Sequence, residues 1–413
     1  MTLLKEKIFD ITISPIKHGA VEVALKEIQE RSFPEKKTED WRYAKLGKLL
    51  SKNYQAVTQN VNDVSQFMIE GLDANVIVLV NGIYKKELSN FSSQDGVVIL
   101  PISEAKDNDV FKAHFNTLAV RNQEIFTSIN TAYNQGGVFV HVGKKVVLEK
   151  PIYIINVNAG NGVLINARNL VVLDPFAEGK FIQGYYSSVG GDNFSNSFSE
   201  FIVKENAKLN CEKIQNFSNS DKHICTEEIY QEKDSTSIIN TIMLSGGFIR
   251  NGLNVQVDGT NCYSEMNGLF LGKDEQFIDN HTRIDHIKSN CISSELYKGI
   301  LKDKSVGVFN GKVIVHKDAQ VIEAYQQNNN VILSDEARMN TKPELEIFAD
   351  DVKCSHGATT GQFNEEAIFY LQARGVSKDA AKEMLIGAFS NEVLEKISIE
   401  SLKNWVESKV LGN

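Results

Sequence analysis

Residues 238–257 read IINTIMLSGGFIRNGLNVQV. An apolar run at 238–244 stops at Gly246 and Gly247, resumes briefly, meets Asn251 and Gly252, and ends in the alternating run 253–257. Apolar and β-branched residues broken by Gly and Asn, without a 3.6-residue period, are the chemistry of short strands joined by turns. The same chemistry recurs in both directions. Upstream lie runs at 76–80, 97–100, 138–142, 146–148, 152–157, 163–165, 170–173 and 201–203; downstream lie 306–309, 312–315 and 331–333. Asn81 and Gly82, Gly136 and Gly137, Asn161 and Gly162, and Asn310 and Gly311 stand between runs and read as turns. Residues 75–355 are far longer than a sandwich domain of about 100 residues. A β-helix accommodates that length, because each coil covers the apolar face of its neighbour. No strict repeat motif is visible. Such a stack has open edges at its ends, which must be capped or paired with another chain.

The flanks have a different period. Ala20, Val21, Ala24, Leu25 and Ile28 fall at helical spacing, Pro34 interrupts, and Trp41, Tyr43 and Leu46 follow. After Gly361 the pattern is helical again. Asn364 is placed to cap one helix, with Gly375 ending it, Ser377 caps a second and Ser398 a third. Ala381, Met384, Leu385, Ala388 and Phe389 form the stripe of the second, and Leu402, Trp405 and Val406 that of the third. The division is therefore 1–74 helical, 75–360 β-helix core and 361–413 helical. The short terminal helices have little core of their own and must lean on something.

Composition bounds the function. The chain has 413 residues, 42% hydrophobic and 23% charged, which is ordinary globular composition. Lys plus Arg number 44 against 53 Asp plus Glu, a net charge of −9, so a nucleic-acid partner is not expected. Five cysteines without a CxxC pair suggest neither a disulfide framework nor a zinc ribbon. The N-terminal stretch MTLLKEKIFDITISPIK is broken by Lys5, Glu6 and Lys7, unlike a signal peptide, and no run is long enough to cross a membrane. The expectation is a soluble, cytoplasmic protein. Phosphate-loop, dinucleotide-fold, H-E-x-x-H, EF-hand and G-x-S-x-G signatures are absent: residues 268–273 and 307–312 each lack one residue between glycines and the Ser/Thr after lysine.

Two local clusters carry chemistry. Cys354, Ser355 and His356 end an alternating segment, so in a strand Cys354 and His356 share one face. A thiol and an imidazole suit iron, zinc or copper, but two ligands are half a site and need donors from elsewhere. The second cluster, residues 279–286 (DNHTRIDH), reads as a turn with solvated or satisfied histidines rather than a proton- or metal-handling site. Cys211, Cys225, Cys262 and Cys291 read as core residues, and His18, His114, His141, His223 and His316 have no companion at ligand spacing.

Residues 349–362 (ADDVKCSHGATTGQ) and 366–375 (EAIFYLQARG) resemble the C-terminal signature of the SufB/SufD family of iron–sulfur cluster assembly subunits. The stretches 279–282, 296–300, 340–343, 39–43, 118–120 and 130–132 are similar to the same family, so the resemblance spans most of the chain. Length and the Cys354-to-Gly357 motif resemble the SufD branch; SufB paralogues carry a glutamate–histidine–glutamate version and are longer. The resemblance implies a right-handed parallel β-helix between helical ends, pairing with SufB and docking of the ATPase SufC through the C-terminal helices. Phe369, Leu371, Arg374, Leu385 and Phe389 are the implied ATPase-docking residues. It also implies cluster chemistry at the subunit boundary, with His356, and less strongly Cys354, as candidate iron or cluster ligands. Function is then that of a non-enzymatic scaffold with no catalytic residue and no cofactor held firmly by this chain alone, iron or a cluster being transient in the SufBCD complex. The isolated chain can pair with itself through the same β edge. The alternatives are a SufB-like scaffold, a structural protein without metal contact, and a β-helix enzyme on polysaccharide, which needs paired carboxylates in a groove.

Overall fold

The computed structural model describes residues 19–56, 59–122 and 124–412. His18 and the N-terminal stretch lie outside the described residues. The first strands are β1 (Asn75–Val80), β2 (Ile83–Tyr84), β3 (Val97–Pro101), β4 (Val138–Val142) and β5 (Ile152–Asn158). Then come β6 (Leu164–Leu173), β7 (Glu178–Ser187), β8 (Phe194–Val203), β9 (Lys208–Asn216), β10 (Lys222–Gln231), β11 (Thr236–Ser245) and β12 (Phe248–Val257). The last seven are β13 (Tyr263–Gly272), β14 (Phe277–His286), β15 (Ile292–Leu301), β16 (Val306–Val315), β17 (Ile322–Ile332), β18 (Arg338–Ile347) and β19 (Val352–Gly361). From β4 and β5 onward each strand pairs in parallel with the next but one. Odd and even strands thereby form two facing sheets that end at β19 and β18. This is the expected parallel β-helix, one strand of each sheet per coil.

The turns contain the repeat that the eye misses in the sequence. Phe176, Asn206, Asp234, Asn261, Asn290 and Val321 all have positive φ and recur every 27 to 31 residues. Each is followed by a buried residue at the inner corner: Ala177, Ala207, Ser235, Cys262, Cys291 and Ile322. Asn and Asp tolerate the left-handed conformation because their short polar side chains bond locally, whereas a β-branched residue is strained there. Val321 (φ 58°) is the β-branched member of this column. Val321→Asn is therefore expected to stabilise the protein by about 1 kcal/mol, read as a rise in the urea midpoint at constant slope; a fall in midpoint contradicts it.

Two dipeptides read as turns lie inside strands. Asn251 and Gly252 sit in mid-β12, and Asn310 and Gly311 in mid-β16. At Asn251 stacking explains the difference, because its buried Nδ2 donates to Asn280 Oδ1 of the next coil (3.1 Å), whereas Asn310 Nδ2 donates to Asp40 Oδ1 of the helical layer (3.4 Å). The runs 306–309 and 312–315 are likewise one ten-residue strand.

Helices cover both outer faces, which is why strands such as β6 are buried along their whole length. α1 (Gly19–Glu30), α2 (Leu46–Leu50) and, between β3 and β4, α3 (Ile102–Ala105), α4 (Asp109–His114) and α5 (Ile125–Ala132) lie on the even-strand sheet. Trp41 anchors this layer, packing on Phe126 (5.2 Å between rings) and donating its indole N–H to Glu124. The C-terminal α6 (Glu365–Gln372), α7 (Lys378–Leu394) and α8 (Glu400–Val410) follow β19. Val393, Leu394, Ile397, Leu402 and Val406 close over Ile242, Leu269, Leu296 and Ile300 on the odd-strand sheet. Asn364 and Ser377 cap α6 and α7 as expected. Ser398 does not cap α8, which starts after Ile399; its backbone N–H instead donates to Glu212.

Candidate functional site

Even-numbered side chains of β17 point into the coil: Ala324, Gln326, Asn328 and Asn330 are all buried. Their register partners on β19 are Cys354, His356, Ala358 and Thr360. These occupy the same inward face, yet Cys354 is half-buried and His356, Ala358 and Thr360 are exposed, because no further coil covers them. Thiol and imidazole share a face as the two-residue period predicts, with exposed Ser355 on the other side.

Across the coil, β18 completes the mouth. Phe309, Val313 and Val315 are buried on the inward face of β16 and pair with Thr341, Leu345 and Ile347. Pro343 sits in this outermost strand, where a missing N–H costs the sheet least. The mouth is thus lined by Met339, Thr341, Pro343 and Leu345 on one side and by Cys354, His356 and Ala358 on the other.

The two candidate ligands differ chemically. Cys354 packs against the interior cluster, and burial pushes its thiol above the ordinary value, which disfavours the thiolate that binds metal. The imidazole of His356 stands at the opening. No group of three or more His, Cys, Asp or Glu placed to hold a metal ion occurs among the described residues, so the pair on β19 is half a site within this chain. The donor set fits a soft or borderline cation such as iron once further ligands come from outside.

Residues 279–286 form β14, not a turn. Asp279 is buried beside Arg250, and His281 Nε2 lies 2.9 Å from Asp279 Oδ1. Burial alone would raise the Asp279 carboxyl; Arg250 and His281 turn that into a lowering. His286 is buried, its Nε2 2.9 Å from Ser293 Oγ, and burial brings it down to about 4. Both histidines have structural partners. His223 is likewise buried between Gln215 and Ser197, while His141 pairs with Asp174 and His316 with Asp285. Cys211, Cys225, Cys262 and Cys291 are buried free thiols.

Of the proposed docking residues, Phe369 is 72% exposed and Arg374 is exposed, its guanidinium 4.2 Å over the Tyr370 ring. Leu371 and Leu385 are half-buried. Phe389 turns inward, with Lys298 Nζ 4.7 Å over its ring. Met384, placed on the inner stripe by spacing, faces solvent. Phe369, Tyr370 and Met384 leave α6 and α7 with exposed large apolar side chains.

Sequence reasoning missed the interior chemistry. Arg168 pairs with Glu200 (3.0 Å) and Lys213 with Glu227 (2.5 Å), each pair inaccessible to solvent. Burial works to lower the Lys213 ammonium, and the neighbouring Glu227 carboxylate raises it overall. Glu295, buried beneath the mouth, is pushed up to about 7 by burial. Only the strand register brings these residues together.

A family model described as the SufBD core domain of SUF-system FeS cluster assembly matches residues 154–389, and one described as the SufBD protein N-terminal region matches residues 6–154. The iron–sulfur cluster assembly protein SufD of Escherichia coli is 28% identical over 391 residues, covering 94% of this chain and 90% of that protein. An iron–sulfur cluster assembly SufBD family protein of Synechocystis is 30% identical over 386 residues, covering 90% and 85% of the two chains. A chloroplastic protein of Arabidopsis thaliana is 27% identical over 405 residues, covering 92% and 82%. With its β-helix, its uncapped last coil and these matches over nearly its whole length, the chain belongs to the SufB/SufD family of iron–sulfur cluster assembly proteins.

Proposed function

We propose that the chain is a non-enzymatic, SufD-like scaffold subunit of a SufBCD-type complex in the cytoplasm. It pairs with a SufB-like paralogue across the mouth formed by β18 and β19 and docks a SufC-like ATPase through α6 and α7. His356, with Cys354 beside it, presents half a ligand set to iron or a nascent cluster, which is cargo of the complex and not a resident group. The observation that carries this reading is the exposure of His356 on an inward strand face with no coil over it. Unpaired N–H and C=O groups along the β18 and β19 edges are a template for a second chain, and self-pairing of the isolated protein would use the same edges. ATP turnover by a partner accords with the lack of a phosphate loop here.

Tagged protein produced with its SufB-like and SufC-like partners is expected to bring down both. Phe369 is exposed, apolar and unneeded for the core. Phe369→Asp is expected to weaken ATPase capture by about 2 kcal/mol or more, the loss of a buried aromatic anchor. Thermal stability and capture of the SufB-like subunit stay unchanged. Undiminished ATPase capture removes α6 from the docking face, and a monomer that cleaves glycans overturns the scaffold reading.

A further inference from the structure

Gln326 lies one rung inside His356, in register with it and on the same face, and Glu295 lies one rung further in. Both inner residues are buried, Gln326 to 2% exposure. Gln326 Nε2 donates to Glu295 Oε2 at 2.7 Å. The nitrogen and oxygen of a planar amide lie about 120° apart, so with the nitrogen on Glu295 the oxygen is turned from that rung, and the next rung outward is that of His356. That oxygen has no hydrogen-bond partner among the described residues, although buried polar atoms are rarely left so. The amide is held from the opposite sheet as well: a Cβ on Gly311 would collide with it, so the glycine makes its berth. Adjacent strands of a sheet are about 4.8 Å apart, which brings an imidazole N–H of His356 within reach of the oxygen by rotation about its own side-chain bonds.

We propose that Gln326 is a positioning residue whose Oε1 accepts the N–H of one His356 ring nitrogen, so that the other nitrogen keeps its lone pair and faces out of the mouth. Glu295 acts one step further back. By accepting from Nε2 it fixes which end of the amide meets the ring; an amide free to flip would offer NH₂ and favour the opposite tautomer. The consequence for metal rests on the reading of His356 as a ligand given above, whereas the hydrogen bond itself does not. Metal-bound histidines ordinarily donate their second nitrogen to such an acceptor, and losing it costs roughly 10–100-fold in affinity.

The test uses the full chain with ¹⁵N-labelled histidine. Long-range ¹H–¹⁵N spectra report the tautomer of His356, assigned by its disappearance in His356→Ala. The wild type is expected to show one tautomer and Gln326→Met, which keeps the volume but removes the acceptor, a mixture, with unchanged circular dichroism. Should Gln326→Met fail to fold, the exchange variant Glu295→Gln with Gln326→Glu carries the test. It reverses donor and acceptor within the pair while leaving an oxygen toward His356, and must retain the single tautomer. A mixture in the wild type or in the exchange variant, or no change in a folded Gln326→Met, overturns the proposal. In the second arm, cobalt(II) is titrated by absorption into the chain bound to its SufB-like partner, where Gln326→Met is expected to weaken binding roughly 10–100-fold. A tautomer that shifts while cobalt affinity stays constant supports the hydrogen bond and overturns the ligand role of His356 instead.

Discussion

Arg168→Leu is expected to destabilise the protein by about 3–5 kcal/mol, the cost of breaking a fully buried ion pair by removing one partner. That is a large share of the roughly 5–15 kcal/mol by which folded domains exceed their unfolded chains. Arg168 projects from β6 into the helical layer, where its guanidinium donates to Thr131 Oγ1 (2.8 Å), Asn116 Oδ1 (2.7 Å) and Glu200 Oε2 (3.0 Å). It also lies 4.8 Å from the centres of both the Phe115 and Phe198 rings. Glu200 in turn accepts the backbone N–H groups of Asn116, Leu118 and Ala119. The pair therefore ties the loop after α4 to the β-helix, and a leucine would leave the Glu200 carboxylate buried with backbone donors alone. Replacing both members by apolar residues is often harmless where the two charges serve only each other. Here it would leave three backbone donors without their acceptor, so Arg168→Leu with Glu200→Leu is also expected to lose stability. Urea unfolding measures both variants, and amide exchange at 116–119 localises the damage. A loss under about 1 kcal/mol for Arg168→Leu, the scale of an ordinary surface change, would show that the layer holds without it.

The legible parts of this molecule are those governed by short-range periodicity. The two-residue period placed Cys354 and His356 on one face, and side-chain capping placed the starts of α6 at Asn364 and α7 at Ser377. The coil repeat was hidden because it resides in a single backbone conformation per turn, satisfied by Asn, Asp, Phe or Val at steps that vary from 27 to 31 residues. Asn251 and Asn310 misled for a related reason: an asparagine that ends a strand and one that bonds out of mid-strand, to the next coil at Asn251 and to Asp40 at Asn310, are the same letter. Gln326 and Glu295 belong to other coils than His356, so nothing short of the register could have joined them. Phe389 and Met384 show the limit of helical stripes, since spacing says which residues align but not which side of the stripe meets the sheet.

His356→Ala is expected to leave the fold and subunit pairing intact while severely impairing cluster maturation in cells. The structural half follows from position. The side chain is exposed, so truncating it opens no cavity; the proposed hydrogen bond to Gln326 is the stability at stake, and the change should stay within about 1.5 kcal/mol. The functional half follows from the chemistry of the mouth. The His356 imidazole is an exposed nitrogen donor on this face, whereas the Cys354 thiol is partly buried and held toward its protonated form. As His356 is the proposed direct ligand, its removal should cost at least the roughly 10–100-fold that follows loss of an outer partner. Cys354→Ser separates the two roles. It puts a hydroxyl where a half-buried thiol packed, so about 1 kcal/mol of stability is expected to go, with a smaller effect on maturation than His356→Ala. The measurement is activity of cluster-dependent enzymes in cells relying on this system, together with anaerobic iron and sulfide content of the purified complex. Full maturation with His356→Ala would leave the chain a purely structural member of its complex, the open mouth serving only to hold a partner. Reduced maturation with the partner lost as well would assign His356 to the interface alone. The proposed site survives only if clusters fail while the complex still assembles.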